Sequence, residues 1–228
     1  MAVVSARGVR ARGARAGLGG AVGASEDGAF WQQVLRSLVA RGLQGVRLVI
    51  SDAHAGRQGA IAAVRTGASW QRCRVHVLRN ALALVPKAAQ PLVAATIRTI
   101  FTPPDAASAR EPWRRVADNL RGRFPKLAAL LDDAEAEVLA SATVPAAHWR
   151  QIWSNNPLER RTKAVKRRTD VGGICPNAAA VLRLVGAILA EQHDEWPVGK
   201  RSCSAASLAL RDAAPAVALP APALLAAD

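Results

Sequence analysis

Four groups of residues in this sequence are of types that could do chemistry. Asp52 stands in "VISDAHAG", directly after a short β-rich run. A carboxylate at the carboxyl end of a buried strand lies where open α/β sheets place their ligands. The alternative is an Asp that caps the following helix, with Gly56 easing the turn. Glu159 stands in "NNPLERRTKAVKRR". There Asn156, Pro157 and Glu159 suit the N-cap, first and third positions of a helix, a pattern close to the capping box. A glutamate folded back on its own N-cap cannot readily extend to a metal ion, so capping and ligation compete. Arg160, Arg161, Lys163, Lys166, Arg167 and Arg168 follow it within a few residues. So dense a cationic cluster suits the phosphates of a nucleic acid, against the alternative of a solvated charged face. Cys73 and His76 form a CxxH pair. It could be half of a zinc site, but a tetrahedral site needs two more ligands. His54, His148, His193, Cys175 and Cys203 offer no second matching pair. The other reading is a structural pair packed beside the site.

The elements that must position these groups follow from periodicity. Ser25 to Ala40 carries Phe30, Trp31, Val34, Leu35 and Leu38 at helical spacing, with Ser25 as a candidate N-cap. Val46 to Ser51 is a short β-rich run ending at Asp52 and is expected to be a buried strand. A helix is expected over 57–65. Trp70 to Val77 is expected to be a strand that turns into a helix near His76. From about Arg79 to Leu139 the pattern is helical, with breaks at Pro86, Pro91 and Thr102-Pro103-Pro104, and no strand signal interrupts it. Pro176 to Glu195 reads as one amphipathic helix with Pro near its first position. Residues 1–22 are rich in Ala, Gly and Arg and are expected to be a disordered arm.

Composition narrows the partners. The chain has 228 residues, 50% of them hydrophobic, which allows a sizeable core. Its formal net charge is +14, and the acid-free segments 1–22 and 160–168 carry most of it. Charge so clustered favours a polyanion. Three cysteines and no secretory pattern argue against a disulfide framework and for a cytoplasmic protein. The tail "AAPAVALPAPALLAAD" is apolar but short and broken by prolines, so no membrane partner is expected.

Taken in order, "LQGVRLVISDAHAG", "WQRCRVHVLRN", "NNPLERRTKAVKRRTDVGGICPN" and "AAAVLRLVGAILAEQHDEW" closely resemble the Mutator-type transposases of bacterial insertion sequences. The resemblance runs from about Val22 to about Leu208. It implies an α/β, ribonuclease H-like core with an all-helical insertion before the last catalytic carboxylate. It also implies an Asp-Asp-Glu triad that binds two divalent ions, Mg²⁺ or Mn²⁺, and DNA as the partner, handled by a homo-oligomer when complete. Carried over by position, Asp52 matches the second Asp, Glu159 the Glu, and Cys73 with His76 the CxxH motif. The basic residues after Glu159 would then hold DNA. Two hard cations stabilising the attacking and leaving oxygens together is the chemistry that carboxylates at such positions serve. The chain contains no Tyr, so a tyrosine recombinase or relaxase has no nucleophile here.

The sequence departs from that pattern at its start. The strand bearing the family's first Asp and the family's N-terminal DNA-binding region are expected to have no counterpart in this sequence, and Glu26 and Asp27, in a loop before a helix, do not match that Asp. The expectation is therefore a truncated chain with a core incomplete at its N-terminus. Its parts are an arm over 1–22, partial core over 23–78, helical insertion over 79–148, the rest of the core over 149–208 and a flexible tail over 209–228. Such a chain is expected to be defective in cleavage. The alternatives are a non-catalytic DNA-binding remnant and a product with no function.

Overall fold

The computed structural model describes residues 2–10, 13–64, 67–102, 106–140, 167 and 177–195. Within them the chain is mixed α/β, with two separate two-stranded sheets and seven α-helices. Strands β1 (Ala2–Val9) and β2 (Arg15–Gly23) form an antiparallel hairpin. Helix α1 spans Gly28–Ala40. A βαβ unit follows: β3 (Leu48–Ser51), α2 (Ala55–Ala63) and β4 (Ser69–Arg72), with β3 and β4 parallel in the register Leu48–Ser69 to Ser51–Arg72. The remaining helices are α3 (Arg74–Ala83), α4 (Gln90–Thr99), α5 (Ala106–Arg121), α6 (Pro125–Val138) and α7 (Ala178–Glu195).

The hairpin corrects the expectation of a disordered arm over 1–22. Valines at positions 3, 4 and 9 give β1 its β propensity, whereas β2, "RAGLGGAVG", has little of its own. Pairing supplies what propensity lacks. The two strands lie side by side from Ala2–Gly23 to Val9–Arg15, and the register shifts between Ala6 and Arg7. The turn is closed by Gly13 N–H donating to Arg10 O (2.8 Å) and Arg10 N–H donating to Ala14 O (2.8 Å). Helix α7 covers β2 and buries Val181, Val185 and Ile188 at helical spacing.

Helix α1 begins two residues later than Ser25 would place it. Asp27 is the N-cap, and its carboxylate accepts the Phe30 N–H at 2.8 Å while Ser25 Oγ donates to its other oxygen. Asp outcompetes Ser here because a charged acceptor makes the stronger bond to an orphan amide. The helix ends in a Schellman motif: Leu43 N–H donates to Leu38 O (3.0 Å) and Gly42 N–H to Val39 O (2.9 Å), with Gly42 at φ 95°.

Helices α3 to α6 pack around one apolar cluster. Val77, Ile97, Ile100, Trp113, Leu127 and Leu131 are all at most 2% exposed. The Trp113 indole N–H donates to Leu131 O at 2.8 Å, so the largest side chain in the cluster buries no unpaired donor. Phe101 meets it edge-on, ring centroids 6.0 Å apart. Two of the expected breaks coincide with element boundaries: Pro86 precedes a 3₁₀ turn at Lys87–Ala89, and Pro91 lies in the first turn of α4, while Pro103 and Pro104 lie outside the described residues. Along the α5–α6 seam, Arg114 grips Glu135 with Nε (3.1 Å) and Nη2 (3.2 Å), and Arg121 bridges Asp118 and Asp132.

Candidate functional site

The site forms at the carboxyl ends of β3 and β4. Asp52 follows β3 directly, as the sequence implied. Its backbone is fixed by a short relay: the Trp70 indole N–H donates to Ser51 Oγ (2.9 Å), and Ser51 Oγ donates to Asp52 O (2.8 Å). Ser51 O in turn accepts the Cys73 N–H at 2.7 Å, tying the end of β3 to the start of α3.

The Asp52 carboxylate does not cap α2. His54 is the N-cap residue of that helix and makes no side-chain cap bond. Asp52 Oδ1 instead accepts from Arg57 Nη1, and Arg57 Nη2 donates to Glu26 Oε1, so one guanidinium joins two carboxylates. Arg57 Cζ lies 4.3 Å from the centroid of the Trp31 ring. The side chain of Arg57 is 14% exposed, against 37% for Asp52 and 41% for Glu26. The close approach of α1 and α2 makes this corner. A Cβ on Gly56 would stand 2.9 Å from Gly28 N and 3.1 Å from Gly28 Cα, so only glycine fits between the two helix starts.

A second corner joins the helical block to β4. The Arg72 guanidinium, nearly buried, pairs with Glu137 of α6 at 3.2 Å, and Gln58 of α2 reaches the other Glu137 oxygen at 3.5 Å. Asp52, Glu26 and Glu137 each meet a guanidinium.

Cys73 is a fully buried thiol at the N-cap of α3, and His76 lies one turn further along. Between them, burial lowers Arg74 to about 10 while Cys73 acts in the opposite direction, and the guanidinium lies 4.9 Å from the centroid of the Phe101 ring. Of the six basic residues after Glu159, Arg167 is described, as an exposed helical residue. Glu159, Arg160, Arg161, Lys163, Lys166 and Arg168 lie outside the described residues. Asn177 starts α7, accepting the Ala180 N–H at 2.9 Å, and Pro176 lies outside the described residues.

The resemblance implies a divalent ion at Asp52. Among the described residues no three His, Cys, Asp or Glu side chains converge as metal ligands. The charge of Asp52 is already matched by Arg57. The described residues, as folded, do not fit the ion. Arg57, Glu26 and Trp31 are what sequence reasoning missed. The local signal was an Arg five residues after the Asp, but its partners come from α1 and its approach.

The profile of the family described as "Transposase, Mutator family" matches residues 1–199. The chain is 51% identical over 196 residues to the transposase for insertion sequence element IS1081 of Mycobacterium tuberculosis, covering 86% of this chain and 47% of that protein. It is 42% identical over 200 residues to the transposase for IS406 of Burkholderia multivorans, covering 87% and 52%. It is 35% identical over 196 residues to the transposase for IS256 in transposon Tn4001 of Staphylococcus aureus, covering 85% and 50%. The chain belongs to the Mutator family of transposases. It spans about half the length of the curated relatives it matches.

Proposed function

We propose that this member of the Mutator family serves in DNA transposition of an insertion sequence. The observation that carries the reading is the match over residues 1–199 together with Asp52 at the carboxyl end of β3. In this reading the βαβ unit and hairpin belong to a ribonuclease H-like core. Helices α4 to α6 are the insertion that precedes Glu159. Asp52 and Glu159 would be two of three carboxylates toward Mg²⁺ or Mn²⁺ in DNA cleavage and strand transfer, a role that requires Arg57 to release Asp52. The basic residues at 160–168 position DNA through its phosphates. The work is cytoplasmic and is done by a homo-oligomer.

A second reading, a DNA-binding remnant that does not cut, is favoured by the Asp52–Arg57 pair, which leaves Asp52 without a free charge. Fluorescence anisotropy with duplex DNA over a salt series, and a nicking assay with Mg²⁺ on the element's terminal DNA, separate the two. Binding that weakens steeply with salt is common to both. Nicking abolished by Asp52→Asn selects the transposase, and binding without nicking selects the remnant. Absence of binding at low salt sinks both.

A further inference from the structure

We infer that Arg57 is a resident countercation that stands in for a divalent ion at Asp52 and guards the carboxylate against one. The inference rests on the proposed reading of Asp52 as a metal carboxylate and adds a residue to it. Three observations carry it. First, one guanidinium donates to both Asp52 and Glu26, which draws two carboxylates from different elements onto a single positive group, as a cation would. Second, the group is held from behind: it stacks on Trp31 and is mostly withdrawn from solvent. A side chain so placed does not swing away at little cost. Third, Arg57 lies in the first turn of α2, at the positive end of the helix dipole, where a cation is disfavoured. The two carboxylates are what offset that location, so the pairing explains the position.

The consequence is competition. A dication reaching Asp52 must either displace the guanidinium or sit beside it, and like charges at that separation repel. Neutralising Arg57 therefore opens Asp52 to metal. The chain is titrated with Mn²⁺ alone, free Mn²⁺ being read by electron paramagnetic resonance. The variants are Arg57→Gln, Arg57→Leu, Glu26→Gln and the double variant Asp52→Asn/Arg57→Gln, with near-ultraviolet circular dichroism as the check on folding. Expected is Mn²⁺ binding about tenfold tighter in Arg57→Gln than in wild type, the gain expected from removing one charge-assisted contact, and its loss in the double variant. Glu26→Gln removes a negative charge and leaves Arg57 wholly to Asp52, so it should bind Mn²⁺ no tighter than wild type; Arg57→Leu carries the test if Arg57→Gln fails to fold. If wild type binds as tightly as the Arg57 variants and the double variant binds more weakly, the guard is overturned while Asp52 remains a ligand. If no variant binds, or if binding ignores Asp52, the metal reading of Asp52 falls and takes the guard with it.

Discussion

The helical block and the Asp52 corner are held together by different physics. Between α3 and α6 the contacts are apolar side chains at most a few per cent exposed, closed around Trp113. Around Asp52 they are charges: Arg57 with Asp52 and Glu26, and Arg72 with Glu137. Apolar burial is non-directional and proportional to area, so the block has many small contributions and tolerates the loss of any rim contact. The corner depends on a few directional bonds between groups that are still partly wet, each worth little net energy but fixing where each carboxylate lies. The block is thus the source of stability and the corner the source of geometry.

The largest expected effect is in the block. Trp113→Ala empties its centre and should cost about 3–5 kcal/mol, read from urea midpoints followed by far-ultraviolet circular dichroism. A cost under about 1 kcal/mol would mean that the cluster is not the main core. Next is Gly56→Ala, where the added methyl meets backbone rather than a flexible side chain. It should cost about 1–3 kcal/mol and prise α1 from α2. Any fall in Trp31 fluorescence anisotropy or change in its emission would follow that separation.

Smaller again is Glu137→Gln, which keeps the shape but weakens the pair with Arg72. A loss of about 1 kcal/mol is expected at low ionic strength, shrinking in high salt. If salt leaves the difference unchanged, the corner is not electrostatic in the sense drawn here. The smallest effect is on the acid limb of stability. The Ser25 hydroxyl, then the Phe30 amide, hold Asp27 below its ordinary value of 3.8. A carboxylate with its folded pKa depressed stabilises above the unfolded value and loses that contribution as pH falls through the folded one. Asp27→Asn should therefore flatten the stability profile below about pH 4 and leave it parallel to wild type above.

How much could be read beforehand followed the range of the interactions. The Asp52 strand, the helices between Arg79 and Leu139 and the breaks at Pro86 and Pro91 were legible because each is set by neighbours within a turn or two. The Asp27 cap differed from Ser25 by two residues, a choice between acceptors made only when both are present. The hairpin was not legible: β2 carries glycines and alanines where a strand pattern needs alternation, and its stability comes from β1 and from α7 far along the chain. The same applies to Arg57. Its charge was visible, but Glu26 and Trp31 reach it only because α1 and α2 start side by side.

The covering of β2 by α7 bears on the order in which the molecule assembles. Contacts within the helical block join near neighbours in sequence, so they close small loops and can form early. The hairpin also forms locally, but its α7-facing side waits for residues more than a hundred positions downstream. During synthesis the hairpin emerges long before that helix, and for that interval an apolar strand face is uncovered. A pulse of hydrogen exchange applied during refolding should protect amides of α3 to α6 first and those of β2 and α7 together, in a later phase.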